Sequence, residues 1–146
     1  LKSFDLIIAS VHSQLKMSEE KAMHRLLTAI ENPFTTILGH LTGRLLLSRE
    51  GYPVNHKKII DACAATNVSI ELNANPYRLD IDYRWLDYCQ EKKVPVSINP
   101  DAHNLRGVHD IKYGVFAARA AGLLRENTLN ALTKDNFEKY INSKNR

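Results

Sequence analysis

Four short apolar runs punctuate this chain: Phe4 to Ala9, Thr36 to Gly39, Val68 to Leu72 and Val94 to Ile98. Each is nearly all apolar on both faces of an extended chain, the pattern of a parallel strand covered on both sides. Longer stretches of helical spacing separate them. Met23, Leu26, Leu27 and Ile30 form one stripe behind Ser18, which Glu19, Glu20 and Lys21 mark as the cap of a helix over about 18 to 31. Asn55 caps a second helix carrying Ile59, Ile60, Cys63 and Ala64, and Asp82 opens a third with Trp85, Leu86 and Cys89. Ile111 to Ala121, behind Asp110, reads as a fourth that stops at Gly122. Two short helices, about 126 to 132 and 134 to 142, close the chain.

Strands alternating with helices predict an α/β fold with four parallel strands joined by right-handed crossovers. A closed barrel of this kind takes roughly seven or eight strands. The expectation is therefore part of a barrel, or an open sheet, forming a single domain over residues 1–146. The chain starts at Leu1 rather than Met, and a strand begins almost at once, so further sequence is expected upstream.

Composition narrows the class. An apolar share of 44% and a charged share of 25%, with no low-complexity tract, describe a soluble globular chain. The net charge of +4 leans toward phosphate-bearing ligands, although Lys and Arg are scattered and form no run. Cys63 and Cys89 lack C-x-x-C spacing, which argues against a zinc ribbon or a disulfide framework and for a reducing, cytoplasmic setting. No stretch approaches the roughly 20 apolar residues of a membrane span, and no signal-peptide pattern opens the chain.

In parallel α/β folds ligands bind at the carboxyl ends of strands. All four runs end on chemistry-bearing residues: His12 after the first, His40 after the second, Asn73 and Asn75 after the third, Asp101 and His103 after the fourth. Imidazole and carboxylate donors without thiolate suit borderline and hard divalent ions such as Zn²⁺ and Mn²⁺, and with them hydrolysis. Arg44 and Arg78, after the second and third runs, are candidates to hold a substrate phosphate, and equally exposed loop arginines. Asn73 and Asn75 either orient ligands or cap a loop. His24, His56 and His109, within or beside helices, read as surface or packing residues.

Four segments carry a family resemblance: Ala9-Ser10-Val11-His12-Ser13, Gly39-His40-Leu41-Thr42-Gly43-Arg44-Leu45-Leu46-Leu47, Asn73-Ala74-Asn75-Pro76-Tyr77-Arg78-Leu79-Asp80 and Ile98-Asn99-Pro100-Asp101-Ala102-His103. Together they resemble the polymerase and histidinol phosphatase (PHP) domain. The longer two, with Tyr113-Gly114-Val115 and Ala118-Arg119, are most similar to the PHP domain of bacterial family X DNA polymerases. Leu41 departs from the pattern, standing where that family usually has Pro.

The resemblance implies a distorted barrel of seven β-α units, with up to three divalent ions held on its rim. His12, His40, Asp101 and His103 match ligand positions and would carry the catalysis. The ions implied are Mn²⁺ or Zn²⁺ foremost, then Mg²⁺. The family's opening His-x-His motif and its early Glu ligand have no counterpart here, and Glu71 does not match the latter. The implied activity is 3′-5′ exonuclease or 3′-phosphatase trimming of DNA ends beside a polymerase domain, and this stretch alone is expected to be nearly inactive. A free-standing phosphatase acting on histidinol phosphate, or a non-catalytic module supporting a polymerase, are the rival readings. A partial barrel also exposes two sheet edges, which predicts a homo-oligomer or pairing with an N-terminal PHP half.

Overall fold

The computed structural model describes residues 1–143 and holds one parallel sheet of four strands in the order β1-β2-β3-β4. The strands are Ile8–Ala9 (β1), Ile37–Leu38 (β2), Ser69–Asn73 (β3) and Val96–Asn99 (β4). Order in space equals order in sequence, as in a barrel built of successive β-α units. Ile8 pairs with Ile37, Leu38 with Ile70 and Leu72 with Ile98. All five residues of β3 are buried, the polar Ser69, Glu71 and Asn73 included, so this strand is covered on both faces. The fold is α/β and compatible with part of a barrel.

Helices α1 (Glu19–Glu31) and α2 (His56–Thr66) start where the caps place them. Ser18 Oγ accepts from the Lys21 amide at 3.3 Å and Asn55 Oδ1 from the Lys58 amide at 3.0 Å. Each cap satisfies one of the donors that a helix start leaves open. Helix α2 ends on Asn67 in the left-handed conformation, with φ of 54°. Asp82 opens a short 3₁₀ turn, Tyr83–Trp85, that runs into α3 (Leu86–Glu91). Leu26, Ile30, Ile59, Ile60, Leu86 and both cysteines are buried in a core shared with the strands.

Helix α4 (Ile111–Ala120) packs tightly against β4 and the loop after β3 at Gly114. A Cβ placed on Gly114 would lie 2.6 Å from Ala74 Cβ and 2.6 Å from Ile98 Cγ2, so only glycine allows this approach. The closing helix α5 (Lys134–Asn142) is latched by Tyr140, whose hydroxyl meets Ser69 Oγ at 2.6 Å.

The structure corrects three sequence expectations. The first strand is two residues long and does not begin at Phe4, because pairing with β2 starts only at Ile7, which accepts from the Thr36 and Ile37 amides, while Phe4 is exposed. The stretch 126–132 is not one helix but two 3₁₀ turns, Arg125–Asn127 and Leu129–Ala131, with Thr128 extended between them. Thr128 bridges Val96 in parallel, and the Asn130 amide accepts from Ile98 N at 2.7 Å and donates to Ile98 O at 2.9 Å. Satisfying the outer edge of β4 outweighs helical propensity there. For the same reason only one sheet edge, that of β1, lacks a strand-like partner among the described residues, where two were expected.

Candidate functional site

Each motif arrives at the carboxyl end of its strand. The ring centroids of His12 and His40, from the loops after β1 and β2, lie 4.9 Å apart in an edge-to-face arrangement. Ser10 Oγ sits 2.7 Å from His12 Nε2. His40 is buried, and its Nδ1 has no hydrogen-bond partner among the described residues.

The loops after β3 and β4 meet in a second group. Arg78 Nε lies 3.0 Å from Asp101 Oδ2, and Asp101 O lies 2.8 Å from His103 Nδ1. Arg78, Asp101 and His103 line a cleft together with Leu45, Leu46 and Tyr77. The Leu46 amide donates to Tyr77 O at 2.6 Å and ties the two loops together. His40 and Asp101 both have positive φ, 23° and 52°. Non-glycine residues in this region cost of order 1–3 kcal/mol, and such strain gathers where function fixes the backbone.

His12 and His40 thus come together, Asp101 and His103 form a separate pair, and each follows the carboxyl end of a strand in the one parallel sheet. Among the described residues no three His, Cys, Asp or Glu side chains gather closely enough to hold a metal ion. The donor types fit a divalent ion, and a tetrahedral ion would need two ligands more than the His12–His40 pair could offer.

The other candidates divide. Arg44 is turned inward: Nη1 donates to Asp82 Oδ2 at 2.8 Å, Nε to Arg78 O at 2.8 Å, and Nη2 to Leu79 O. It clasps two loops, which the scattered charge pattern could not reveal. The Asp82 carboxyl is held well below the usual range by hydrogen bonds from Arg84 and then Arg44, against the effect of burial. Asn73 Oδ1 accepts from the Asn75 amide, and Asn75 Oδ1 from the Tyr77 amide at 2.9 Å, so both shape the loop.

Two buried carboxylates were missed. Glu71, inside β3, accepts from His40 N at 2.7 Å through Oε2 and from Asn99 Nδ2 at 2.9 Å through Oε1. Asp80 accepts through Oδ2 from Thr42 N, Thr42 Oγ1 and Gly43 N, at 2.9, 3.0 and 2.9 Å. Burial raises the Asp80 carboxyl above its ordinary value, and the hydrogen bonds from Thr42 oppose that. A charge between the apolar Ile70 and Leu72 was the available signal for Glu71.

These imidazoles, the carboxylate and the arginine lie on strand-end loops, where parallel α/β folds bind their ligands. Comparison with known proteins gives the chain its relatives. No family model matches the chain. Over 141 residues, 97% of its length, it is 40% identical to a Bacillus subtilis protein named DNA polymerase/3'-5' exonuclease PolX. It is 27% identical over 109 residues, 70% of its length, to a probable phosphatase of Clostridium botulinum strain Hall. A probable phosphatase of Syntrophotalea carbinolica is 27% identical over 139 residues, 89% of the chain. The chain spans 25%, 42% and 55% of these three proteins, respectively.

Proposed function

We propose that this chain forms part of a metal-dependent phosphoesterase of the PHP type, acting on the 3′ ends of DNA as a 3′-5′ exonuclease or 3′-phosphatase beside a polymerase domain. One observation carries the reading: His12 and His40, from loops after different strands, meet at the rim with ring centroids 4.9 Å apart. The relatives agree in kind, one being named an exonuclease and two probable phosphatases.

His12, His40, Asp101 and His103 are the residues that would hold Mn²⁺ or Zn²⁺, with ligands outside these 146 residues completing the shell. A divalent ion bound there supplies Lewis acidity toward phosphoryl oxygen and a more acidic water. Arg78 is placed to hold a phosphate oxygen by a charge-assisted bond, since its two Nη atoms carry no hydrogen bond among the described residues while Nε faces Asp101. Tyr77, largely exposed, and Leu46 give the cleft an apolar wall on which a nucleobase can lie. That wall favours a nucleotide over a small phosphoester such as histidinol phosphate.

The test is Mn²⁺-dependent release of nucleotide or phosphate from a 3′ end by the full gene product. Activity abolished by Asp101→Ala supports the reading, and activity indifferent to Asp101→Ala removes it. The 146-residue chain alone is expected to be nearly inactive. A non-catalytic support module is the second reading, favoured by the engagement of Asp101 Oδ2 with Arg78 Nε at 3.0 Å. A full gene product that binds no metal would establish it.

A further inference from the structure

The turn after β2 is gripped by a carboxylate from far along the chain. His40 opens this turn, and its carbonyl accepts from Gly43 N at 3.0 Å. Asp80, fully buried, closes on it through the three bonds from Thr42 and Gly43 to Oδ2. Tyr52 lies against the same turn: its amide donates to Thr42 O at 3.1 Å, and its ring flanks Gly43.

Each of these three residues buries one polar atom without a partner among the described residues: Asp80 Oδ1, His40 Nδ1 and the Tyr52 hydroxyl. Asp80 interacts electrostatically with both His40 and Tyr52. Three orphaned buried atoms around one turn are a costly arrangement unless something serves them together. The set contains a carboxylate acceptor, an imidazole nitrogen and a hydroxyl able to donate or accept, which is the coordination an internal water takes, about three partners.

We propose that Asp80 is the positioning residue of His40: through one internal water shared with the Tyr52 hydroxyl, its Oδ1 receives the Nδ1–H of His40. This fixes the Nδ1–H tautomer and leaves the Nε2 lone pair for the rim. A carboxylate behind a ligating histidine orients the ring and strengthens it as a donor. The part of this inference that concerns metal affinity rests on the phosphoesterase reading. The tautomer does not.

The experiment records the ¹⁵N spectrum of the histidine-labelled full gene product with no metal added, His40 being assigned by the signals lost in His40→Gln. Nδ1–H signals for His40 are expected. Asp80→Asn keeps an oxygen for the Thr42 and Gly43 donors and should shift His40 toward a mixture of tautomers. Tyr52→Phe removes one oxygen and should shift it the same way by less. An Nε2–H tautomer in the unsubstituted protein overturns the proposal, and so do His40 signals unchanged in Tyr52→Phe and in any folded Asp80→Asn. Calorimetric titration with Mn²⁺ is the second arm, with affinity expected to fall about 10- to 100-fold in Asp80→Asn. No Mn²⁺ binding by the unsubstituted protein would sink the phosphoesterase reading and leave the tautomer result standing.

Discussion

Arg78 and Asp101, from the loops after β3 and β4, meet at 3.0 Å with both side chains mostly buried. The pair holds a candidate phosphate-binding cation against a candidate ligand carboxylate. Arg78→Ala should therefore lower kcat/KM of the full gene product on a DNA 3′ end by about 10- to 100-fold, as loss of one charged hydrogen bond worth roughly 1.5–3 kcal/mol implies. Steady-state kinetics decide it, and an unchanged kcat/KM would leave Arg78 a structural residue like Arg44.

Gly114 sits where helix α4 touches the loop after β3. A Cβ there would lie 2.6 Å from Ala74 Cβ and from Ile98 Cγ2, neither of which is the end of a flexible chain. Gly114→Ala should cost about 1–3 kcal/mol by overpacking. Denaturant unfolding measures this, and a stabilised variant would show that α4 can lift away freely.

His56 opens α2 and stacks on Trp85 with ring centroids 4.7 Å apart. Its pKa is lowered from 6.5, first by burial, with the Arg44 charge adding to that against the neighbouring aspartates. A histidine with a depressed folded-state pKa contributes stability that is present above its unfolded value and lost as pH falls through the folded one. Thermal midpoints should therefore drop as pH falls below 6.5, and His56→Phe, which keeps the stack, should flatten that part of the curve. Parallel curves for the two proteins would remove His56 as the cause.

Much of this fold was legible, because strand and helix starts depend on local chemistry. Ser18 and Asn55 announce their helices, and the runs before His12, His40 and Asp101 announce their strands. What stayed hidden depends on distant partners. Arg44 reads as a free loop cation until Asp82 and the carbonyls of Arg78 and Leu79 are folded around it. Glu71 and Asp80 carry no local mark that each will grip the turn at His40. The stretch 126–132 reads as helix because its use, sealing Ile98, lies in another part of the sequence.

Among the described residues nothing pairs with the outer edge of β1, and Ile8 is about half exposed. The chain alone is expected to self-associate there at micromolar concentration. Light scattering checks it, and a monodisperse 16.6 kDa species would refute it.

The two bonds between Asn130 and Ile98 give the sheet a polarity. One end is terminated and the other can still grow. Two copies can join growing end to growing end, but the product then presents a terminated end on each side. Strand addition at β1 would therefore carry a built-in stop, ending at a closed pair and not at a fibre.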